Sequence, residues 1–112
     1  MSSKEKSKDD GHAFIHAVAK HQGWALHPDP AFLDDLAAGL AQNYNRYGYF
    51  LCPCRDGDGE RSADKDIICP CVYAVPDQEE YGHCYCGLYL TQEFRASGKE
   101  PRQIPERRAD SF

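Results

Sequence analysis

Six cysteines fall in three Cys-x-Cys pairs, Cys52-Pro53-Cys54, Cys69-Pro70-Cys71 and Cys84-Tyr85-Cys86, separated by gaps of 14 and 12 residues. This is not the spacing of C-x₂-C knuckles, which place two sulfurs on one tetrahedral zinc ion, nor the C-x₂-C-x₂-C run of bacterial ferredoxins. Four thiolates are enough for a cubane [4Fe-4S] cluster. Six leave two over, and two spare thiols beside a cluster are the parts of a redox-active dithiol. Proline inside two of the pairs stiffens them and removes a backbone donor, so adjacent sulfurs can face different targets.

The rest of the composition narrows the context. A chain of 112 residues has room for one small domain, and at 41% hydrophobic and 28% charged it is globular in composition. Such a chain is short for a large core and leans on disulfides or a metal centre. Its formal net charge of −5, without a basic stripe, excludes nucleic acid as the main partner. Apolar runs of only a few residues exclude a membrane span. The polar N-terminal run MSSKEKSKDDGH lacks the apolar core of a secretory signal, which predicts a cytoplasmic chain. Thiols stay reduced there, so metal binding or redox chemistry is expected rather than three structural disulfides. No GxGxxG or GxxxxGK[ST] loop is present, which excludes Rossmann-type nucleotides and ATP. The acidic run Asp56, Asp58, Glu60 has Arg61 where a calcium loop needs its turn glycine, and reads as a solvated turn.

A few short elements must position the pairs. Ala13, Phe14, Ala17 and Val18 predict a helix from His12 to His21, with Gly23 as its stop. His12 and His16 lie one turn apart and, with no further ligand nearby, read as ordinary histidines. Asp29-Pro30 supplies an N-cap and a first-turn proline. Phe32, Leu36 and Leu40, beside Leu33, Ala37 and Ala41, then give the main helix a wide apolar face as far as Tyr44, with Asn43-Tyr44-Asn45 as its end. Ser62–Ile68 is a short segment, Pro76–Gly82 one helical turn, Gly87–Leu90 an extended piece, and Thr91 caps a last helix to Ala96. The expected organisation is a flexible tail over 1–11, a single cluster-binding catalytic domain over 12–97, and a C-terminal surface tail over 98–112 marked by Pro101 and Pro105.

The pattern CPCR…CPC…CxC, with NYNRYGY before it and CYCGLYLT at its end, resembles the catalytic (beta) chain of ferredoxin–thioredoxin reductase from Gly39 to Thr91. The resemblance implies a small, mainly α-helical single domain with short loops wrapped around a [4Fe-4S] cluster, and a stability that depends on that cluster. It implies an iron–sulfur disulfide reductase passing electrons from a ferredoxin-like donor to thioredoxin-like proteins. Cys52, Cys69, Cys71 and Cys84 are then the cluster ligands, and Cys54 and Cys86 the active-site disulfide. Within that disulfide the resemblance makes Cys54 the exposed thiol that attacks the partner, and Cys86 the cluster-side thiol. Photosynthetic members also pair with a variable subunit, a further partner this resemblance allows.

Those members carry histidine between the last two cysteines, where this chain has Tyr85. His83, one residue before Cys84, is therefore the candidate for proton handling; its other reading is a hydrogen bond to the backbone of its own turn. Arg55, next to Cys54, either favours the thiolate by Coulomb attraction or is a solvated charge. Tyr47, Tyr49 and Tyr85 are expected to keep water from the cluster. Two other readings remain open: a related disulfide reductase fed by rubredoxin or another donor, and a zinc-stabilised interaction module without catalysis. An acidic donor would need a local basic patch, for which Arg46, Arg55, Arg61, Lys65, Arg95 and Lys99 are candidates.

Overall fold

The computed structural model describes residues 5–53, 57 and 59–105. Cys54, Arg55, Asp56 and Asp58 lie outside the described residues, as do both chain ends. The first helix, α1 (Lys8–Gln22), starts four residues before the expected His12. The reason is a capping box: the Asp10 N–H donates to Ser7 Oγ while Asp10 Oδ2 accepts from the Ser7 N–H at 2.9 Å. Lys6 is tied down as well, its N–H donating to Asn45 Oδ1 at 2.7 Å and its carbonyl accepting from Asn45 Nδ2 at 2.9 Å. The tail expected over 1–11 therefore gives up its last residues to the domain. Gly23 stops the helix as expected, at φ 76°.

The main helix, α2 (Pro30–Tyr47), begins where Asp29-Pro30 predicts, with Asp29 Oδ1 accepting from the Ala31 N–H at 3.0 Å. It runs three residues past the expected end. Asparagines end helices when they bond their own backbone, but here they reach elsewhere: Asn43 Nδ2 donates to the Leu51 carbonyl at 2.9 Å and Asn45 holds Lys6. Gly48, at φ 89°, is the actual stop. Gly11, Ile15 and Ala19 of α1 recur every four residues and pack on Leu36, Ala37, Leu40 and Ala41 of α2. His12 Nε2 meets Asp34 Oδ1 at 2.7 Å at the rim of that contact.

Two two-residue strands, β1 (Ala25–Leu26) and β2 (Tyr89–Leu90), pair antiparallel with Ala25 opposite Leu90 and Leu26 opposite Tyr89. Between them lie α3 (Arg61–Asp64), a 3₁₀ turn over Lys65–Ile67, and α4 (Ala74–Tyr81). α4 starts two residues before the expected Pro76, because a proline in the first turn gives up an N–H that has no helical partner. Thr91 caps α5 (Gln92–Ser97), its Oγ1 accepting from the Phe94 N–H at 3.0 Å. The C-terminal segment is not only surface. Ile104 is 4% exposed and the Arg102 N–H donates to His83 Nε2. The result is a small, mainly helical domain with a two-stranded sheet, and no helix among the described residues is long and apolar enough to cross a membrane.

Candidate active site

Backbone pairing brings the three cysteine pairs together. The Cys52 N–H donates to the Ile67 carbonyl at 2.9 Å, and the Cys69 N–H to the Phe50 carbonyl at 2.7 Å, around a bridge between Leu51 and Ile68. This sets Cys52 beside the second pair. The third sits on a tight loop into β2, where the Cys84 N–H donates to the Tyr89 carbonyl at 3.0 Å and the Gly87 N–H to the Cys84 carbonyl at 2.9 Å. Gly87 takes φ 76°, a conformation open to glycine at little cost. Gly39 lets α2 come close to the first pair, since an added Cβ there would stand 3.1 Å from Pro53 Cβ.

Cys52, Cys69, Cys71, Cys84 and Cys86 all line one cavity, walled by Pro53, Ala74, Leu88, Tyr85 and Tyr89. No disulfide joins any two of these five cysteines. Cys52, Cys69 and Cys84 are buried, while Cys71 and Cys86 are half-buried at its edge. Cys86 Sγ lies 3.1 Å from Cys52 Sγ. The sixth, Cys54, lies outside the described residues, two positions after Cys52 in sequence.

Burial drives the electrostatics. Desolvation pushes the Cys84 thiol up to about 11, opposed by the Tyr89 N–H at its sulfur, and pushes Cys69 well above its ordinary value. Burial of both thiols favours the protonated form. A metal centre held there would have to offset it, because thiolate is the form that ligates. Among the described residues no three such side chains are arranged for a single metal ion. The chemistry of the donor set, five soft sulfurs in an apolar cavity, fits an iron–sulfur group.

The remaining sequence candidates are distributed differently. Tyr85 lines the cavity as expected, but Tyr47 and Tyr49 pack in a second cluster with Leu51 and Ile67 and do not border it. His83 is buried, and its hydrogen bonds among the described residues are to backbone. Its Nδ1 is 2.8 Å from the Cys84 carbonyl oxygen and its Nε2 accepts from the Arg102 N–H at 3.3 Å. Phe94 packs against it edge-on at 5.4 Å. The two hydrogen bonds are the backbone-bonding reading of His83. Sequence reasoning passed over Tyr89, whose hydroxyl lies 3.4 Å from Cys69 Sγ. The signal for it was its place in a short strand five residues after Cys84.

The chain matches the family described as ferredoxin thioredoxin reductase catalytic beta chain over residues 1–110. It is 31% identical over 98 residues to the chloroplastic ferredoxin-thioredoxin reductase catalytic chain of Arabidopsis thaliana, covering 86% of this chain and 64% of the relative. The ferredoxin-thioredoxin reductase catalytic chain of Guillardia theta is 32% identical over 87 residues, 76% of this chain and 81% of its own length. The chloroplastic chain of Spinacia oleracea is 30% identical over 102 residues, 89% of this chain and 66% of its own. The chain thus spans just under two thirds of the two plant relatives.

Proposed function

The chain belongs to the ferredoxin thioredoxin reductase catalytic beta chain family, and from that premise we propose that it is an iron–sulfur disulfide reductase, carrying electrons from a ferredoxin-like donor to a thioredoxin-like disulfide. The observation that carries the reading is the convergence of five cysteines on one apolar cavity, with the sixth two residues from one of them. Cys52, Cys69, Cys71 and Cys84 would hold a [4Fe-4S] cluster. When bound, such a cluster supplies one-electron steps between a one-electron donor and a two-electron disulfide. The residues around it do the rest. Ala74, Leu88 and Tyr85 keep the cavity walls apolar and water out. Cys86, half-buried beside Cys52, stands between the interior and the surface, the place for the inner member of a dithiol.

Exchange then follows thiol chemistry. The Cys54 thiolate attacks one sulfur of the partner's disulfide, forming a mixed disulfide and releasing the partner's other sulfur as thiolate. The Cys86 thiolate attacks Cys54 in that mixed disulfide, forming Cys54–Cys86 and releasing the reduced partner. Two electrons and two protons restore the dithiol. Arg61 and Lys65 border an open cleft beside Ile68, Cys69 and Pro70, which supports docking of an acidic donor near a ligand.

Single substitutions test the assignment. Both Cys54→Ser and Cys86→Ser should keep full iron and sulfide, because four other thiolates complete the coordination. With a thioredoxin lacking its own resolving cysteine, Cys86→Ser should accumulate a mixed disulfide on a non-reducing gel and Cys54→Ser none. An adduct from Cys54→Ser alone reverses the two roles, and loss of the cluster in either variant overturns the partition into four and two.

A further inference from the structure

Tyr89 reaches two sulfurs of the site at once. Its hydroxyl lies 3.4 Å from Cys69 Sγ, and its backbone N–H donates to Cys84 Sγ at 3.4 Å. Sulfur's large radius makes both ordinary hydrogen-bond lengths. All three residues are buried, with Tyr89 only 1% exposed, so water does not compete for these contacts. The residue is also held firmly. β2 pairs its backbone with Leu26, and the Trp24 ring packs against its ring at 5.1 Å. Between a thiol and a phenol either atom can donate. Once Cys69 serves as a thiolate ligand its sulfur has no proton, and a phenol keeps its own at neutral pH, so the direction is settled: Tyr89 donates.

We propose that Tyr89 tunes the cluster, with its phenol donating to Cys69 Sγ and its backbone N–H to Cys84 Sγ, so that both ligand sulfurs carry less negative charge. Hydrogen bonds to ligand sulfurs favour the reduced, more negative cluster over the oxidised one, and so raise its reduction potential. The inference rests on the cluster reading given above. It makes Tyr89 a positioning and tuning residue rather than a group that exchanges protons with substrate.

The full chain, reconstituted anaerobically with iron and sulfide, provides the test. Tyr89→Phe keeps the ring against Trp24 and removes only the phenolic donor. Iron and sulfide content should stay the same while the midpoint potential, followed by visible absorption in a redox titration, moves negative. Replacing Tyr89 with 3-fluorotyrosine, a more acidic phenol and stronger donor, should move it positive. Where Tyr89→Phe fails to retain a cluster, the fluorotyrosine protein, which keeps the ring and its phenolic donor, decides alone. An unchanged potential in a fully loaded Tyr89→Phe, or in the fluorotyrosine protein, overturns the tuning and leaves the cluster reading standing. A wild-type chain that takes up neither iron nor sulfide overturns the cluster reading itself, and the tuning with it.

Discussion

Asp64 is fully buried, and its Oδ2 accepts twice: from the Tyr49 hydroxyl at 2.7 Å and from the Gly59 N–H at 3.2 Å. One carboxylate oxygen thus ties the chain before the first cysteine pair to the chain after it. The guanidinium of Arg61 packs over the Tyr49 ring at 5.6 Å. Burial, followed by the hydrogen bond to Asp64, pushes the Tyr49 phenol up to about 12. The unfolded chain gives up that proton near pH ~10 while the folded chain keeps it to about 12. The phenol's contribution to stability is therefore complete below the lower value and is lost as pH rises through the higher one. In urea unfolding across that alkaline window, Tyr49→Phe should flatten the fall in stability by about one proton's worth of slope. A slope equal to that of the parent protein would show that the folded state does not protect the phenol.

At the scale of elements, the contact between α1 and α2 is set by a glycine. Gly11 faces the backbone of Ala37, and a Cβ added there would overlap the Ala37 carbonyl oxygen. Replacing glycine by alanine inside a helix ordinarily stabilises it by roughly 0.5–1 kcal/mol, through unfolded-chain entropy. Here the sign should reverse. Gly11→Ala must push the helices apart or shift α1, with overpacking costs of about 1–3 kcal/mol. Urea unfolding of the variant should show a net loss, and a gain would mean that the helices can separate freely. The same interface carries Asp34, which its hydrogen bond to His12 and then that to Lys8 hold below the usual carboxylate range.

For the whole molecule, the C-terminal segment closes the domain. Ile104 is buried, and the Arg102 N–H occupies His83 Nε2. Ending the chain after Gly98 exposes the surface under Ile104 and leaves a buried imidazole nitrogen without its partner. Burial of one isoleucine side chain stabilises by roughly 1.5–3 kcal/mol, and an unpaired buried polar group costs about 1–3 kcal/mol. The truncated protein should therefore lose about 2–4 kcal/mol in thermal or urea melts, mostly from Ile104, a large share of the reserve of a small domain. A melt unchanged from that of the full chain would make residues 99–112 the surface tail that their prolines and charges suggest.

What the sequence determined was local. Asp29 with Pro30, and Gly23 and Gly82, act on backbone within a turn or so of themselves and are read from residue order alone. Ser7 with Asp10, and Gly48, act as locally but are passed over for His12 and Asn43-Tyr44-Asn45. The grouping of the cysteines into three pairs, and with it the kind of chemistry, was legible in the same way. The tertiary structure decided whatever depends on residues far apart in the chain. Asn43 and Asn45 read as a helix end until Leu51 and Lys6 arrived to accept and donate. His83 gained a backbone partner 19 residues away, the Arg102 N–H at its Nε2. Tyr49 left the site for Asp64, and Tyr89 entered it beside Cys69, 20 residues away in sequence. A side chain's hydrogen-bonding capacity is written in its residue type, but the partner that uses it is supplied by the chain only once it has folded back on itself.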